Sequence, residues 1–155
     1  MTIQLRKILL PTDFSKFSAM AVKYACELAD KFDAELHLLH VLELHADFTP
    51  QFEMGLALPI QVSESTAVVE RALNHVINPE WAAGRKVVHA VVEGSPQVEI
   101  IRYASAQDID LMIISTHGRT GLIHALMGSV SESLVRTAPC PVLTVRPEGH
   151  QFVQR

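Results

Sequence analysis

The chain has 155 residues, a length typical of one domain, and 48% of them are hydrophobic, enough for a sizeable core. The formal net charge is −4 and the lysines and arginines are scattered, which argues against nucleic acid as a partner. No apolar run approaches the roughly 20 residues that span a bilayer, so no membrane partner is expected. The four residues at 8–11 are too few for the apolar part of a signal peptide.

Two cysteines, Cys26 and Cys140, are too few for a disulfide framework. Neither has sequence neighbours that would activate a thiolate, so we expect both side chains to pack in the interior. The cysteine usage and the lack of a targeting segment favour a reducing, cytoplasmic environment.

The first third of the chain predicts two strands and a helix. Residues 3–10 are apolar and β-compatible, and Pro11 ends them. Apolar residues at helical spacing predict a helix over 16–32 with Ser15 as its N-cap. Residues 36–42 are apolar on both faces, which is typical of a parallel strand covered by helices on both sides.

The segment at 43–59 contains Pro50, Gly55 and Pro59 and has no clear periodicity. Loops of this length are uncommon. A variable surface insertion and a lid or partner-binding surface are both compatible with this composition.

The remainder of the chain continues the alternation of helices and strands. Ser95 before Pro96 is typical of a helix start, and Pro139 ends a later helix. The expected elements are, in order, a helix at about 60–77, a strand at 87–92, a helix from 96 to about 107, a strand at 111–115, a helix at 129–138 and a strand at 142–146.

This alternation predicts an α/β fold with a single doubly wound, five-stranded parallel sheet and helices on both faces. The expected strand order is 3-2-1-4-5, a Rossmann-like arrangement, within one domain at 1–147 followed by a tail at 148–155. Ligands of such sheets bind beyond the carboxyl ends of the strands, where the strand order reverses. Site residues are therefore expected after strands one, two and four.

A glycine-bearing loop connects the fourth strand to the following helix. It reads Ser115-Thr116-His117-Gly118, then nine residues, then Gly128-Ser129. A strand, glycine loop and helix N-terminus in this order direct backbone N–H groups at an anion, usually a phosphate. Both glycines are also compatible with simple turns. The motif of a P-loop NTPase is missing, which excludes that class, and no GxGxxG follows the first strand, which argues against a dinucleotide fold of that kind.

With this loop and the opening Pro11-Thr12-Asp13-Phe14-Ser15, the chain resembles the universal stress protein family over nearly its whole length. The ATP-binding branch of that family has G-x-x-G, nine residues, then G-S/T. This chain departs from that pattern at Ser115, which occupies the position of the first glycine in the family's motif. The resemblance implies the fold expected above, binding of ATP or another adenine nucleotide in stress response, and a homodimer.

The resemblance also implies which residues line the nucleotide. Those implied for the adenosine half are Pro11, Thr12 and Asp13 along the pocket, Val41 with its backbone groups at the adenine edge, and Ile114 and Ser115 against the ribose. Those implied for the phosphates are His117, Gly118, Arg119, Gly128, Ser129 and Val130.

Several of these residues have a second interpretation. Ser129 to Glu132 also matches the capping box Ser-x-x-Glu. Asp13 is either a helix-start carboxylate or a ligand of Mg²⁺ or Mn²⁺ shared with the phosphates. Arg119 is either a phosphate contact or a solvated charge, and His117 is read as a loop or ligand hydrogen bonder rather than a general acid or base.

Three histidines, His37, His40 and His45, form a loose group in the sequence. Two lie on a predicted strand and one in a loop, so we do not expect a closed metal site. His40 is instead predicted to be a hydrogen-bonded interior residue.

The last strand contains Val142, Leu143, Thr144 and Val145, without a charge. At the edge of the sheet such a strand invites pairing with a second copy, which favours a two-fold homodimer.

Two rival functions stay open. In the first, Ser115 blocks the pocket and the chain is a dimeric interaction module that binds no nucleotide. In the second, the protein is a slow ATP hydrolase, although no general-base pair lies beside the loop in the sequence. Under the nucleotide-binding interpretation, an unidentified protein partner would recognise whether the chain has nucleotide bound.

Overall fold

The structure is a computed structural model that describes residues 2–43, 66–116 and 129–146. The strands are β1 (Lys7–Pro11), β2 (Glu35–Leu42), β3 (Val87–Glu93), β4 (Leu111–Ser115) and β5 (Val142–Val145). The helices are α1 (Ser18–Phe32), α2 (Thr66–Leu73), α3 (Pro79–Ala82), α4 (Pro96–Ala106) and α5 (Ser129–Thr137).

The strands form one five-stranded parallel sheet in the order β3-β2-β1-β4-β5. The chain builds outward from β1 to β3 and then returns to the other side of β1 with β4. The strand order therefore reverses between β1 and β4, and their carboxyl ends flank the crevice where ligands of such sheets bind. The predicted fold class and strand order are confirmed.

The core has two layers because successive strand residues point to opposite faces of the sheet. On one face, Leu10 and Leu38 pack in a cluster with Ala21 and Ala25 of α1. On the other face, Leu9 and Leu39 belong to a cluster with residues of α4 and α5. Ile8, Leu9 and Leu10 have no exposed surface, so β1 is buried on both sides.

The start of α1 differs from the expectation. The helix begins at Ser18 rather than at residue 16, and Phe17 precedes it without a side-chain cap. The N-cap position is therefore Phe17 rather than Ser15, but the Ser15 hydroxyl accepts from the Ser18 N–H at 3.2 Å and so satisfies a backbone donor at the helix start, as a capping side chain does. The physical reason is that residues 12–15 are engaged in a turn of their own, called the β1–α1 turn below.

Two further elements differ from the sequence analysis. β1 begins at Lys7 rather than at Ile3, whose side chain is 75% exposed, because the pairing with β2 begins at Lys7 and Glu35. The short α3 was not predicted, although Asn78 before Pro79 is a helix-start signal, and its amide oxygen accepts from the N–H of Glu80 at 2.8 Å.

α2 differs as well: it ends at Leu73 rather than at 77, because the N–H groups of His75 and Val76 donate to carbonyls three residues back, in turns, rather than four residues back as in a helix. The remaining bounds lie close to the expected ones where they are described. α4 and α5 each end one residue early, and β5 ends at Val145. Residues 60–65 of the expected second helix, the segment at 44–59 and the expected tail lie outside the described residues. Within the described ranges, no helix has the length and apolarity of a membrane span.

Candidate functional site

The carboxyl ends of β1 and β2 are joined through Thr12, the residue that follows β1. The N–H of Thr12 donates to the Leu39 carbonyl at 2.9 Å. The Thr12 carbonyl lies 2.8 Å from Nδ1 of His40. Thr12 and His40 are both buried, so these bonds are shielded from competing water.

The β1–α1 turn is held by its own polar side chains. Thr12 Oγ1 accepts from the Phe14 N–H at 3.1 Å, and Asp13 Oδ1 accepts from the Ser15 N–H at 3.0 Å. The Ser18 hydroxyl donates to the Ser15 carbonyl at 2.8 Å and lies 3.2 Å from Thr12 Oγ1. Since the single hydroxyl proton of Ser18 is already used, Thr12 donates to Ser18. The turn is thus cross-linked before any ligand binds.

Phe14 adopts an unusual backbone conformation in this turn. Its φ is +61°, in the left-handed region that bulky side chains rarely occupy. Its ring stacks on His40 with the centroids 4.4 Å apart and the planes 30° apart. The predicted interior hydrogen bond of His40 is confirmed, whereas its contact with Phe14 was missed because no glycine or asparagine marks the positive φ.

The end of β4 supplies the other side of the crevice. Ile114 is buried, and its neighbour Ser115 is half-buried. The Ser115 carbonyl accepts from the hydroxyl of Ser131 in α5 at 2.9 Å. The Thr116 N–H donates to the Val145 carbonyl at 3.1 Å. β4, α5 and β5 are therefore connected at this edge.

The structure brings six of the twelve residues implied for the nucleotide to the carboxyl edge of three adjacent strands. They are Pro11, Thr12 and Asp13 after β1, Val41 near the end of β2, and Ile114 and Ser115 at the end of β4. Ser129 and Val130 begin α5. His117, Gly118, Arg119 and Gly128 lie outside the described residues, and the nucleotide-binding role of all twelve residues stays a prediction.

At Ser129 the structure shows a different arrangement from the expected capping box. Ser129 is the first residue of α5 and is exposed. The Glu132 carboxylate, which a capping box would direct back to residue 129, accepts from Arg136 at 2.9 Å. This pair at i,i+4 spacing stabilises the exposed face of α5.

The histidine and acidic side chains of the described residues are not arranged as a metal site. No group of three His, Cys, Asp or Glu side chains there is arranged to hold a metal ion. His37 and His40 lie on opposite faces of the sheet, and His45 lies outside the described residues.

Burial raises the pKa of the Cys26 thiol to about 12 and also raises that of Cys140. Both cysteines pack against the core, as predicted.

A second polar cluster lies on the opposite face of β2 from His40. His37 is 2% exposed, with Nε2 at 2.8 Å from Glu35 Oε1 and Nδ1 at 2.9 Å from the Tyr103 hydroxyl. Because a carboxylate only accepts, Nε2 of the neutral ring carries the proton and Nδ1 accepts from Tyr103. Sequence reasoning missed this cluster, since Tyr103 lies 66 residues from His37 in the sequence.

The His37 cluster predicts a pH-dependent stability. Burial lowers the pKa of His37 and outweighs the opposing effect of Glu35, so the unfolded chain binds a proton more readily. The free energy of unfolding is therefore highest above the unfolded histidine pKa of about 6.5 and falls as the pH decreases below it. A single titrating histidine changes the free energy of unfolding by at most about 1.4 kcal/mol per pH unit.

Urea titrations between about pH 7.5 and about pH 5.5 measure this slope. His37→Gln removes the titrating group and should flatten the slope. His89, whose pKa burial also lowers, contributes to the slope that remains in that variant. A His37→Gln slope equal to that of the parent would contradict the assignment.

Comparisons with known proteins agree with this architecture. The sequence model of the universal stress protein family matches residues 4–146. The universal stress protein MJ0531 of Methanocaldococcus jannaschii is 34% identical over 143 residues, covering 91% of this chain and 82% of that protein. The solved structure of MJ0577 from the same organism is 29% identical with a TM-score of 0.72, covering 96% of this chain and all of that one.

Two more distant structures contain nucleotides. A universal stress protein in complex with cAMP is 22% identical with a TM-score of 0.62, covering 92% of this chain and 98% of that one. The universal stress protein from Archaeoglobus fulgidus in complex with dAMP is 14% identical with a TM-score of 0.55 and the same coverage. At these identities the likeness is one of fold. With its sheet order and a family match over residues 4–146, the chain belongs to the universal stress protein family.

Proposed function

We propose that the chain binds ATP or a related adenine nucleotide at the carboxyl ends of β1, β2 and β4 and acts as a nucleotide-responsive regulator in the stress response. The observation that carries this proposal is the β1–α1 turn, a cross-linked polar turn at the point where the strand order reverses. Ligand sites of open α/β sheets lie at this point, and a turn ordered in advance lowers the entropy cost of binding.

The family adds independent support. Two relatives of the same fold were solved with cAMP and dAMP, so this architecture accommodates an adenine base, a sugar and a phosphate. On this chain, Ile114 and Ser115 end β4 at the position that the family resemblance implies for the ribose, and the Asp13 carboxylate is an acceptor for ribose hydroxyls. The first turn of α5 offers backbone N–H groups to the phosphates.

A divalent cation fits this proposal only together with the nucleotide. Asp13 provides the hard carboxylate oxygen that Mg²⁺ prefers, and the phosphates would provide further oxygen ligands. When bound, the cation would neutralise phosphate charge beside Asp13. The carboxylate is already oriented by the Ser15 N–H, so it needs little rearrangement.

Thermal unfolding with a panel of nucleotides tests the proposal. A ligand that binds only the folded state raises the free energy of unfolding by about 2.7 kcal/mol at a hundredfold excess over its Kd. ATP, AMP or cAMP with Mg²⁺ should raise the Tm, whereas GTP should raise it much less. No stabilisation by millimolar adenine nucleotide would contradict the proposal.

The second candidate, an interaction module without nucleotide, rests on Ser115. Its half-buried side chain lies at the end of β4 where the family's ATP-binding pattern has glycine. Ser115→Gly distinguishes the two functions. Under our proposal the parent already binds ATP, whereas gain of binding only in Ser115→Gly would favour the interaction module.

We further propose the homodimer expected from β5. Within the described residues, β5 pairs with β4 alone. Pro141 and Val145 direct their carbonyls at β4, so by the alternation of a strand the backbone groups of Thr144 face the open edge. Thr144 is also exposed. An antiparallel pair of β5 edges across a two-fold axis would satisfy these groups.

Thr144→Pro should therefore shift the protein towards monomer, because proline removes the outward N–H and leaves the pairing with β4 intact. Sedimentation velocity over a concentration series measures the shift. Thr144→Val, which keeps the N–H, should leave the dimer unchanged. A dimer equally stable in all three proteins would place the interface elsewhere.

A further inference from the structure

We infer that His40 is a positioning residue for the nucleotide site, because its ring contacts the residues on both sides of Asp13. This inference rests on the proposed function. His40 belongs to β2, and its contacts with Thr12 and Phe14 bridge to the turn after β1. The ring faces the turn rather than the His37 cluster.

The first contact is a hydrogen bond of known direction. The Thr12 carbonyl only accepts, so Nδ1 of His40 carries the proton and donates at 2.8 Å. The side chain of His40 is 4% exposed, so water does not compete for this bond. Together with the bond from the Thr12 N–H to Leu39, it holds both backbone polar groups of Thr12 on β2.

The second contact compensates for an unfavourable backbone. A bulky residue in the left-handed region is strained and persists only where its surroundings favour it. Phe14 is in that region at φ +61°, and its ring stacks on His40. Removing the imidazole would remove the packing partner that stabilises this conformation.

Asp13 lies between these two contacts. Its carboxylate orientation depends on the Ser15 N–H, which is in place only while Phe14 turns the chain as it does. If Phe14 relaxed to a right-handed or extended conformation, the Asp13 carboxylate would point elsewhere. His40 therefore acts on the ligand through Asp13 and need not touch the nucleotide.

The test compares ATP affinity, measured by titration calorimetry with Mg²⁺, in four folded proteins. His40→Leu removes the bond and the stack and should weaken binding by about tenfold or more. His40→Asn restores a donor near the position of Nδ1 without the ring and should recover part of the affinity. His37→Leu removes a buried histidine from the other face of β2 and should leave the Kd within about twofold of the parent.

An unchanged Kd in a folded His40→Leu protein would overturn the inference, and so would equal weakening by His37→Leu. If the parent itself binds no ATP, the proposed function fails. Amide NMR of the ligand-free proteins then decides the structural part. Shifts at residues 13–15 in His40→Leu and His40→Asn, absent in His37→Leu, support the positioning role, and unchanged shifts overturn it.

Discussion

Leu10→Ala is expected to lower the free energy of unfolding by about 2–5 kcal/mol. Leu10 lies on β1, the central strand, and has no exposed surface. It packs in the cluster that contains Ala21 and Ala25 of α1, small residues that allow this helix to approach the sheet closely. A cavity at this position is enclosed by the sheet and helix backbones, so neighbouring side chains cannot readily fill it.

Urea denaturation measures this change through the midpoint at a constant m-value. Ile3→Ala is the matched control, since it also removes aliphatic carbons but from a side chain that is 75% exposed. The free energy of unfolding of this control should lie within about 0.5 kcal/mol of that of the parent. A Leu10→Ala cost under about 1 kcal/mol would contradict the described packing of α1 on the sheet.

Asp13→Asn is expected to weaken binding of Mg²⁺-ATP by about 10- to 100-fold, the loss of one charged hydrogen bond. The substitution separates charge from structure. The amide oxygen of asparagine still accepts from the Ser15 N–H, so the turn is kept while the negative charge is removed. The loss of affinity then reports the carboxylate's contact with ribose or cation.

Titration calorimetry gives the two Kd values. Asp33→Asn is the matched control because it removes the same charge at an exposed left-handed position, φ +52°, which asparagine tolerates. The control should bind as the parent does. Tighter ATP binding by Asp13→Asn would mean that the carboxylate repels the phosphates, contrary to the proposed arrangement.

A parallel sheet covered by helices on both faces could be predicted from the sequence, because the pattern of apolar residues reports burial. Residues 36–42 are apolar on both faces, and the structure buries all of β2 except its first residue. Such strands need helices on both sides of the sheet, and long crossovers make the strands parallel. These are properties of whole segments, so single polar residues such as His40 do not obscure them.

The start of α1 could not be predicted in the same way. Ser15 is a good N-cap by residue type, but Thr12, Asp13 and Ser18 use their side chains within the β1–α1 turn and move the helix start to Ser18. The left-handed Phe14 depends on a ring from β2, 26 residues away in the sequence. Contacts of this kind arise from the tertiary structure, and no local pattern encodes them.

The candidate site was likewise predictable only in part. The motifs at 11–15 and 114–115 could be placed at strand ends from hydrophobic patterning alone, and the structure brings them to one edge. The support behind them, from His40 and Ser131, could not be anticipated, because it crosses between elements that are distant in sequence.

The most direct test of the central claim is a titration of the ¹⁵N-labelled protein with Mg²⁺-ATP, followed by amide NMR. We expect saturable shifts at the carboxyl edge, at Thr12, Asp13, Val41 and Ser115, and little change at the amino ends of the same strands, such as Lys7 and Leu36. No shift with millimolar ATP, or shifts confined to residues away from this edge, would contradict the claim.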